Sequence, residues 1–426
     1  MIYYVDNANG NDNCDGLSPE GAKRDYKSIP LAAGDTLLLK RGNVYYRMFD
    51  LVSGEDGNPI TYGAYGEGEM PLITGGTDLS CPEYWVKTDR ENIWECIHPT
   101  DGDVGNFVFN DDECTSGMRW TLDELVRDGE QGDFFDQRFT ENFFSLRWYQ
   151  IRTLPQGLYM YSVGNPATVY KKIIAVDYGK HILMGIKSNV ILDGLCFSNS
   201  SVHALAMGDK EKRNVTVRNC EFKNIGGCVW DYDRRIRLGN AIEFWDETED
   251  VLVENCVFKN IYDSCVTHQG PNATCSTASR FNVRGCRFEN YGMAAFEYRD
   301  RLPIDSEFVG NVCIGAGCGF AMKGEELPRY SEIWPEPMGH HVFLWRIYAP
   351  SEGSSLLIAD NVFGDAPVGA AIYSIIDPAA EAKITLKNNK YTRNDTLLVR
   401  FGGNNYSDLE AYKVACGVDA GSAYVN

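Results

Sequence analysis

Three carboxylates fall at related positions of short apolar segments in the middle of the chain. Glu243 lies in Ala-Ile-Glu-Phe-Trp-Asp, Glu297 lies in Ala-Phe-Glu-Tyr-Arg-Asp, and Asp263 comes just before the segment between them. Two carboxyl groups that face one bond can act as general acid and general base, or as acid and nucleophile. The sequence therefore predicts carboxylate catalysis by Glu243, Asp263 and Glu297.

The segments that carry these residues alternate apolar and other side chains, which is typical of β-strands. Aligned with one another, they give one wholly apolar column that we expect to face a core: Ile242, Val266, Phe296, Phe320 and Ile372. The next column must then face outward: Glu243, Thr267, Glu297, Ala321 and Tyr373. Two residues further along, the outward positions are Trp245, Gln269, Arg299 and Lys323.

The alignment also predicts how far apart the carboxylates lie. Neighbouring strands are about 4.8 Å apart, so the α-carbons of Glu243 and Glu297, two strands apart, should be about 9–10 Å apart. Carboxyl groups roughly 6.5–9.5 Å apart suit an inverting glycosidase, and about 5 Å suits a retaining one. Asp263 could supply the shorter distance to either glutamate, so the sequence leaves both outcomes open.

The residues that surround the carboxylates are candidates for binding a substrate. We expect this set to contain Trp245, Asp246, His268, Gln269, Arg299, Lys323, Trp230, Asp231 and Trp334. An exposed indole can stack on the apolar face of a sugar ring. Insertions at 226–240, 269–279 and 325–339 frame the same region and supply Trp230, Asp231 and Trp334. His268 falls in an inward column and reads as a core histidine, or as a general acid/base or substrate hydrogen-bonder if the strand has already turned.

Arg299 and Lys323 allow a second kind of chemistry. A polysaccharide lyase needs a base for the proton α to a uronate carboxylate and a cation that neutralises this carboxylate. Calcium often assists in such enzymes and needs several oxygen ligands, and no dense Asp cluster lies on this face. We therefore expect no cofactor for a hydrolase, and calcium only if the protein is a lyase.

A repeated segment indicates how these strands are arranged. Val215–Phe222, with its Asn-Cys-x-Phe ending, returns in related form at 251–258 and 281–288, and looser copies end at Phe197, Ile314, Phe363 and Tyr391. A unit this short cannot bury its own apolar face, so the copies must stack. The prediction is an all-β fold, a right-handed parallel β-helix, with Cys220, Cys256 and Cys286 as buried free thiols.

Four regions follow from the pattern. Residues 1–75 form an N-terminal cap and the first coils, and 76–160, rich in Trp and Phe, form an inserted subdomain packed on the solenoid. Thr121 and Glu124 have the spacing of a capping box, which predicts a short helix there. The main β-helix covers 161–403, and 404–426 form a closing tail.

The runs GDTLLLKRG…NPITYGAYGEGEMPLITGG and GNAIEFWDETEDVLVENCVFKNIYDSCVTHQG resemble right-handed parallel β-helix carbohydrate-active proteins of the pectin-lyase-like superfamily. The opening YYVDNANGNDNCDGLSPEGA is similar to their N-terminal cap. The resemblance implies the fold from the cap through about residue 400. Members include lacto-N-biosidase-like and β-xylosidase-like enzymes, lyases, epimerases and phage tail proteins, and no catalytic residue is carried over from them.

Net charge, hydrophobic runs and cysteine content limit the kinds of partner and the cellular compartment that we expect. A net charge of −20 disfavours nucleic acid, and no apolar run approaches the roughly 20 residues that span a bilayer. Fourteen cysteines without a C-x-x-C pair favour a reducing compartment. The start at Met1 shows no signal peptide, so we expect a cytoplasmic protein, or a secreted one whose signal was removed. The oligomeric state is not predicted.

The leading hypothesis is a glycoside hydrolase that acts on oligosaccharides, with exo-action because long loops wall the groove. The first alternative is a polysaccharide lyase or epimerase acting on uronate-containing glycans. The second alternative is a non-catalytic carbohydrate-binding β-helix.

Overall fold

A computed structural model describes residues 1–46, 50–112, 114–140, 154–177, 182–206, 211–270, 277–323 and 338–425. Three long sheets of hydrogen-bonded parallel strands dominate these residues, and successive strands of the chain fall in different sheets, so that the backbone coils. The predicted parallel β-helix is confirmed. In the described residues, no helix is long and apolar enough to cross a membrane.

Each sheet runs along the coil in chain order. Sheet A contains Ile2–Val5, Thr36–Lys40, Ile60–Tyr65, Val190–Asp193, Lys212–Arg218, Thr248–Glu254, Ala278–Arg284, Ser306–Val309, Leu356–Ala359 and Ile384–Lys387. Sheet B contains Val44–Tyr46, Leu72–Thr74, Cys196–Ser200, Glu221–Ile225, Val257–Ile261, Arg287–Tyr291, Val312–Ala316, Val362–Phe363, Lys390–Tyr391 and Ala423–Tyr424. Sheet C contains Ile182–Gly185, His203–Ala206, Ile242–Trp245, Ser264–Gln269, Ala294–Arg299, His340–Trp345, Ile372–Ile375, Val399–Phe401 and the antiparallel Asn404–Tyr406.

The repeated segment supplies sheet A, a turn and sheet B in each coil. Asn219 and Asn255 have φ angles of 53° and 52°, in the left-handed region that Asn tolerates, and Gly285 takes the same position with φ of 59°. The chain therefore turns before each cysteine. Cys220, Cys256 and Cys286 are buried, and no described cysteine forms a disulfide, as predicted.

Sheet B carries a continuous aromatic column in the core. Phe197, Phe222, Phe258 and Phe288 are fully buried, and their consecutive ring centroids are 5.0, 4.9 and 4.8 Å apart. In-register parallel pairing places each ring on the one below it. This stack belongs to one large apolar core that extends through the coils.

The aromatic-rich insertion forms two antiparallel sheets of its own. One contains Thr77–Asp78, Val104–Phe109, Cys114–Thr115 and Ile173–Asp177, and the other contains Trp85–Lys87, Ile93–Cys96, Phe134–Asp136 and Leu158–Tyr161. The insertion therefore reaches Asp177, beyond the expected boundary at residue 160. Most of its described aromatic residues pack into a separate core. A hairpin, Cys228–Asp231 and Ile236–Leu238, adjoins it.

Helices are few and short in the described residues. The α-helices are Leu122–Asp128, Pro166–Val169, Pro378–Glu381 and Leu409–Cys416, and the 3-10 helices are Tyr26–Ser28, Pro82–Tyr84 and Gln137–Thr140. The predicted short helix and its Thr121 cap are confirmed, since the Thr121 hydroxyl accepts from the Glu124 N–H. The Glu124 carboxylate accepts from the Trp120 N–H, one residue before the donor that a capping box uses. The last helix lies in the expected tail, whose flanking strands Asn404–Tyr406 and Ala423–Tyr424 continue sheets C and B.

Candidate active site

Sheet C places Glu243 and Glu297 in one column, as the alignment predicted. Glu243 pairs with Thr267 and Thr267 pairs with Glu297, so the two glutamates are two strands apart. Their α-carbons are therefore separated by about 9–10 Å, twice the strand spacing. Both side chains lie on the face opposite the core column of Ile242, Val266 and Phe296.

Glu243 is held by groups from its own strand and the residues just before it. One carboxylate oxygen accepts from the Asn240 amide and the other from the Trp245 indole N–H. The His203 Nε2 atom lies 3.5 Å from the first oxygen. Glu243 is 5% exposed. These neighbouring groups therefore fix the orientation of its carboxylate in a site that is largely shielded from water.

Glu297 is held by groups from the two neighbouring strands. The Ser264 hydroxyl donates to one oxygen at 2.7 Å, and the Trp345 indole N–H donates to the other at 2.8 Å. Glu297 is only 1% exposed. Both oxygens of this nearly inaccessible side chain are therefore paired, as buried polar groups usually are.

The two carboxylates are connected through Asn240. Its amide nitrogen donates to Glu243, and its amide oxygen accepts from the Ser264 backbone N–H at 2.9 Å. Ser264 in turn donates from its hydroxyl to Glu297. A continuous chain of hydrogen bonds therefore runs between the two glutamates along the beginning of the sheet C strands.

Asp263 lies in the turn just before Ser264 and is 7% exposed. Its backbone N–H donates to the Gly239 carbonyl at 3.2 Å, and its carbonyl accepts from the Met293 N–H at 3.1 Å. These bonds place it between the coils that carry Glu243 and Glu297. The third predicted carboxylate thus adjoins the same end of the site.

A cationic and aromatic group lies two residues further along these strands. The guanidinium carbon of Arg299 is 5.7 Å from the Trp245 ring centroid and 5.5 Å from that of Trp345. The Arg299 Nε atom is 3.5 Å from a carboxylate oxygen of Asp300. Gln269, in the adjacent coil, donates to Thr267 at 3.2 Å.

No protein-family model matches the sequence, and no curated protein matches it. Solved structures do share its architecture. The complex of XylC with xylose has a TM-score of 0.55 at 12% identity over 94% of this chain. A protein described as a glycoside hydrolase gives 0.51 at 10% identity, covering 99% of this chain and 96% of its own length. Pectate lyase Pel9A gives 0.52 at 14% identity, covering all of this chain and 76% of its own.

The chain has the parallel β-helix fold that these structures share. It spans 62% of the length of XylC. At these identities, the likeness establishes the fold only. The chemistry has to be inferred from the side chains of this chain.

Lys323 is not part of the outward face, and this prediction was wrong. Residues 319–323 do not form the next strand of sheet C, because Ala321 has a φ of 59° and the segment His340–Trp345 takes that place beside Glu297. Lys323 instead pairs with Asp133 and, at 2.9 Å, with Glu130 of the insertion. Phe320 and Ala321 therefore leave the predicted columns as well.

Two other predicted binding residues, His268 and Asp246, lie next to each other at the end of the site. His268 is buried in the core column between Phe244 and Tyr298, and its Nε2 atom lies 2.8 Å from the Asp246 carbonyl. The structure thus favours its reading as a core histidine over the substrate-binding one. Asp246 ends its strand in a left-handed conformation, with φ of 66°.

Trp230 and Asp231 lie on the hairpin that adjoins the insertion. The Asp231 carboxylate accepts from the Arg234 N–H at 3.1 Å, and the neighbouring Tyr232 hydroxyl donates to the Trp120 carbonyl at 2.9 Å. Asp231 therefore shapes the hairpin turn. Trp334 lies outside the described residues.

The sequence reasoning missed Asn240, Ser264, His203 and Trp345. Asn240 and Ser264 each precede an outward residue of the column by three positions, so the same alignment contained a signal for them. Trp345 was missed because residues 340–345 were not recognised as a strand of this sheet. His203 accepts the Asn240 backbone N–H at its Nδ1 atom, 3.1 Å away, and burial lowers its pKa to about 4.

Among the described residues, no group of three or more His, Cys, Asp and Glu side chains is arranged to hold a metal ion. The polar groups that do converge are carboxylates, an amide, a hydroxyl and indole N–H groups. This set is suited to proton transfer and to hydrogen bonding with hydroxyl-rich molecules.

Proposed function

We propose that this protein is a carbohydrate-active enzyme that hydrolyses glycosidic bonds, with Glu243 and Glu297 as its acid–base pair. The observation that carries the proposal is their shared outward column, two strands apart, with donors on both oxygens of each carboxylate. Fixed geometry of this kind is what proton transfer at a positioned bond requires. The fold supports the proposal, since it is shared with XylC in complex with xylose and with a glycoside hydrolase.

The α-carbon separation of about 9–10 Å between the two glutamates supports an inverting reaction. One carboxyl group protonates the leaving oxygen while the other activates water on the opposite face of the sugar, and carboxyl groups roughly 6.5–9.5 Å apart leave room for this water. Asp263 offers the alternative. If it worked with one of the glutamates at about 5 Å, the reaction would proceed with retention.

A lyase remains the second candidate, because the fold is also that of pectate lyase Pel9A. The lyase hypothesis used Arg299 and Lys323 as cation and base. Lys323 is paired with Asp133 and Glu130 of the insertion, so it is not available as a base at this face. The contacts therefore favour hydrolysis over elimination.

The test is incubation with a panel of neutral and uronate-containing oligosaccharides and 4-nitrophenyl glycosides. We expect release of reducing ends, or of nitrophenol, without an ultraviolet-absorbing unsaturated product. Release of one sugar unit at a time from one end would support exo-action. An unsaturated product would establish the lyase, and bound but unaltered glycan would establish the binding protein.

Proton NMR of the first product formed decides between the two hydrolytic mechanisms. Inversion at the anomeric carbon supports the Glu243–Glu297 pair. Retention would assign a catalytic role to Asp263 and overturn the proposed pairing. The Asp263→Asn variant then serves as the check, because only the retaining mechanism requires this carboxylate.

A further inference from the structure

Both candidate carboxylates accept a hydrogen bond from a tryptophan. The Trp245 indole donates to Glu243, and the Trp345 indole donates to Glu297. An indole has one N–H donor, which lies in the ring plane. The position of each ring therefore determines where one oxygen of each carboxylate lies.

The strands fix both rings on the outward face. Trp245 follows Glu243 by two residues on one strand, and Trp345 pairs in register with Arg299, two residues beyond Glu297. Trp345 is 5% exposed and stacks on Phe343, with ring centroids 5.4 Å apart and planes 5° apart. Packing thus fixes the Trp345 ring, and the ring in turn fixes the position of the Glu297 oxygen that it binds.

Arg299 connects the two tryptophans. Its guanidinium lies within cation–π distance of both rings, and Asp300 lies 3.5 Å from its Nε atom. Arg346, by contrast, lies 5.8 Å from the Trp345 ring. Among the cation–ring contacts of the described residues, only those of Arg299 join the two indoles that hold the carboxylates.

We propose that Trp245 and Trp345, bridged by Arg299, form a clamp of positioning residues that sets the separation of Glu243 and Glu297. This inference rests on the proposed function for its kinetic meaning. It gives Trp245 and Arg299 a positioning role, whereas the sequence predicted substrate binding for both, and the second test below distinguishes the two roles for Arg299.

The first test is independent of activity and uses the indole N–H resonances of the eight tryptophans in protein labelled with nitrogen-15. Tryptophan-to-phenylalanine variants assign each signal. We expect Glu297→Gln to shift the Trp345 signal upfield and Glu243→Gln to shift that of Trp245, because a neutral amide is a weaker acceptor than a carboxylate. Arg299→Lys should shift both signals, and Arg346→Lys only that of Trp345.

Matched controls come from the insertion, where two indoles donate to backbone carbonyls. Trp85 donates to Leu79 at 2.9 Å and Trp94 donates to Ser162 at 3.1 Å. Their signals should stay in place in all four variants. The clamp is refuted if Arg299→Lys leaves the Trp245 and Trp345 signals unmoved, or if all eight signals move together.

The second test separates positioning from substrate binding. On the 4-nitrophenyl glycoside that the native protein cleaves fastest, we expect Arg299→Lys and Trp345→Phe to lower kcat about 10- to 100-fold, because small displacements of catalytic groups are costly. KM should stay within about threefold, since uniform binding is intact. A raised KM with unchanged kcat would make Arg299 a substrate-binding residue. If the native protein cleaves no glycoside, the proposed function fails, while the indole signals still decide whether the clamp exists.

Discussion

The aromatic column of sheet B and the outward column of sheet C are built on the same coils, yet their sequences behave in opposite ways. Sheet B repeats one residue at four successive positions, from Phe197 to Phe288. The outward column of sheet C runs Glu243, Thr267, Glu297, Phe343 and Tyr373, and no residue type recurs in adjacent strands. Both columns have the same spacing and register, so the difference lies in what the side chains must do.

Repetition suits a column whose requirement is packing. Identical rings at 4.8–5.0 Å fill equal spaces on every coil, and no ring needs a particular partner. The outward column instead contains carboxylates that need specific donors, and these donors differ. Glu243 uses Asn240 and Trp245 of its own coil, whereas Glu297 uses Ser264 and Trp345 of the flanking coils. Variation within a regular repeat thus marks the positions with individual chemistry.

The largest effect should come from the outward column. Glu243→Gln and Glu297→Gln each remove a proton-transferring group, so we expect each to lower kcat/KM about 10²- to 10⁴-fold. With a 4-nitrophenyl leaving group, which departs without protonation, the variant that lacks the general acid should keep much more activity than the variant that lacks the general base. Steady-state kinetics on both substrate classes therefore assigns the two roles.

Glu381 provides the matched control for these variants. It is similarly buried, at 5% exposed, and accepts the Gly402 N–H at 2.7 Å in the C-terminal part of the fold. Glu381→Gln should leave kcat/KM unchanged. Near-native activity in both Glu243→Gln and Glu297→Gln would show that the outward column does not carry the catalytic groups.

The next largest effect should come from the repeated column and should appear in stability. Phe258 is fully buried between Phe222 and Phe288, so Phe258→Ala leaves a cavity that costs about 3–5 kcal/mol of unfolding free energy. Urea titration measures the change. Val257, the exposed neighbour on the other face of the strand, is the control, and Val257→Ala should cost about 0.5 kcal/mol or less. A loss of similar size in both variants would show that the stack adds nothing beyond the strand itself.

The same contrast explains how much could be read from the sequence. The Asn-Cys-x-Phe repeat was enough to predict the parallel β-helix and its core. In each copy the spacing, the turn residue and the apolar positions all indicate the same coil. The repeat also placed Glu243 and Glu297 in one column. Lys323 was misplaced because 319–323 matches the strand pattern locally, whereas pairing across coils selected 340–345 instead. Trp345 depends on that long-range choice, so the sequence did not reveal its contact with Glu297.

A moderate effect on stability should come from the inner face of sheet C. His268 lies on this face, on the strand whose outward face carries Thr267, between Glu243 and Glu297. Burial lowers the pKa of His268 to about 4, below the value of about 6.5 in an unfolded chain. As the pH falls, this histidine therefore binds a proton in the unfolded chain at a higher pH than it does in the folded protein. Stability should be complete above about pH 6.5 and decrease towards pH 4, by about 1–3 kcal/mol for this residue.

We expect His268→Phe to reduce this loss when urea unfolding is compared at pH 7 and pH 4.5. Burial also lowers the pKa values of His203, His340 and His341, so part of the dependence should remain. Phe244 precedes His268 in the same inner column and has no titrating group, so Phe244→Leu should destabilise equally at both pH values. An unchanged pH dependence in His268→Phe would contradict the assignment of this residue to the scaffold.

The smallest effect concerns a buried acid that belongs to neither column. Asp103 is 1% exposed in the insertion, and burial, with Asp136 and Asp177 nearby, raises its pKa to about 8. The folded protein then holds a proton that the unfolded chain, with an aspartate pKa of about 3.9, releases. Stability from this group should be complete below about pH 4 and should be lost as the pH rises towards 8, which is opposite in sign to His268.

Asp103→Asn keeps the shape of the neutral acid without its titration. We expect this variant to exceed the native protein in unfolding free energy by about 1 kcal/mol or more at pH 8.5, with the gain shrinking at pH 5.5. Asp133, equally buried but paired with Arg119 and Lys323, is the matched control, and Asp133→Asn should destabilise because it removes the buried carboxylate that both cations contact. If Asp103→Asn is instead destabilising at every pH, its carboxylate is charged in the folded protein. The insertion would then contain a buried carboxylate that depends on specific partners, as Glu243 and Glu297 do in the outward column, and the division between packing and chemistry would have to include the insertion.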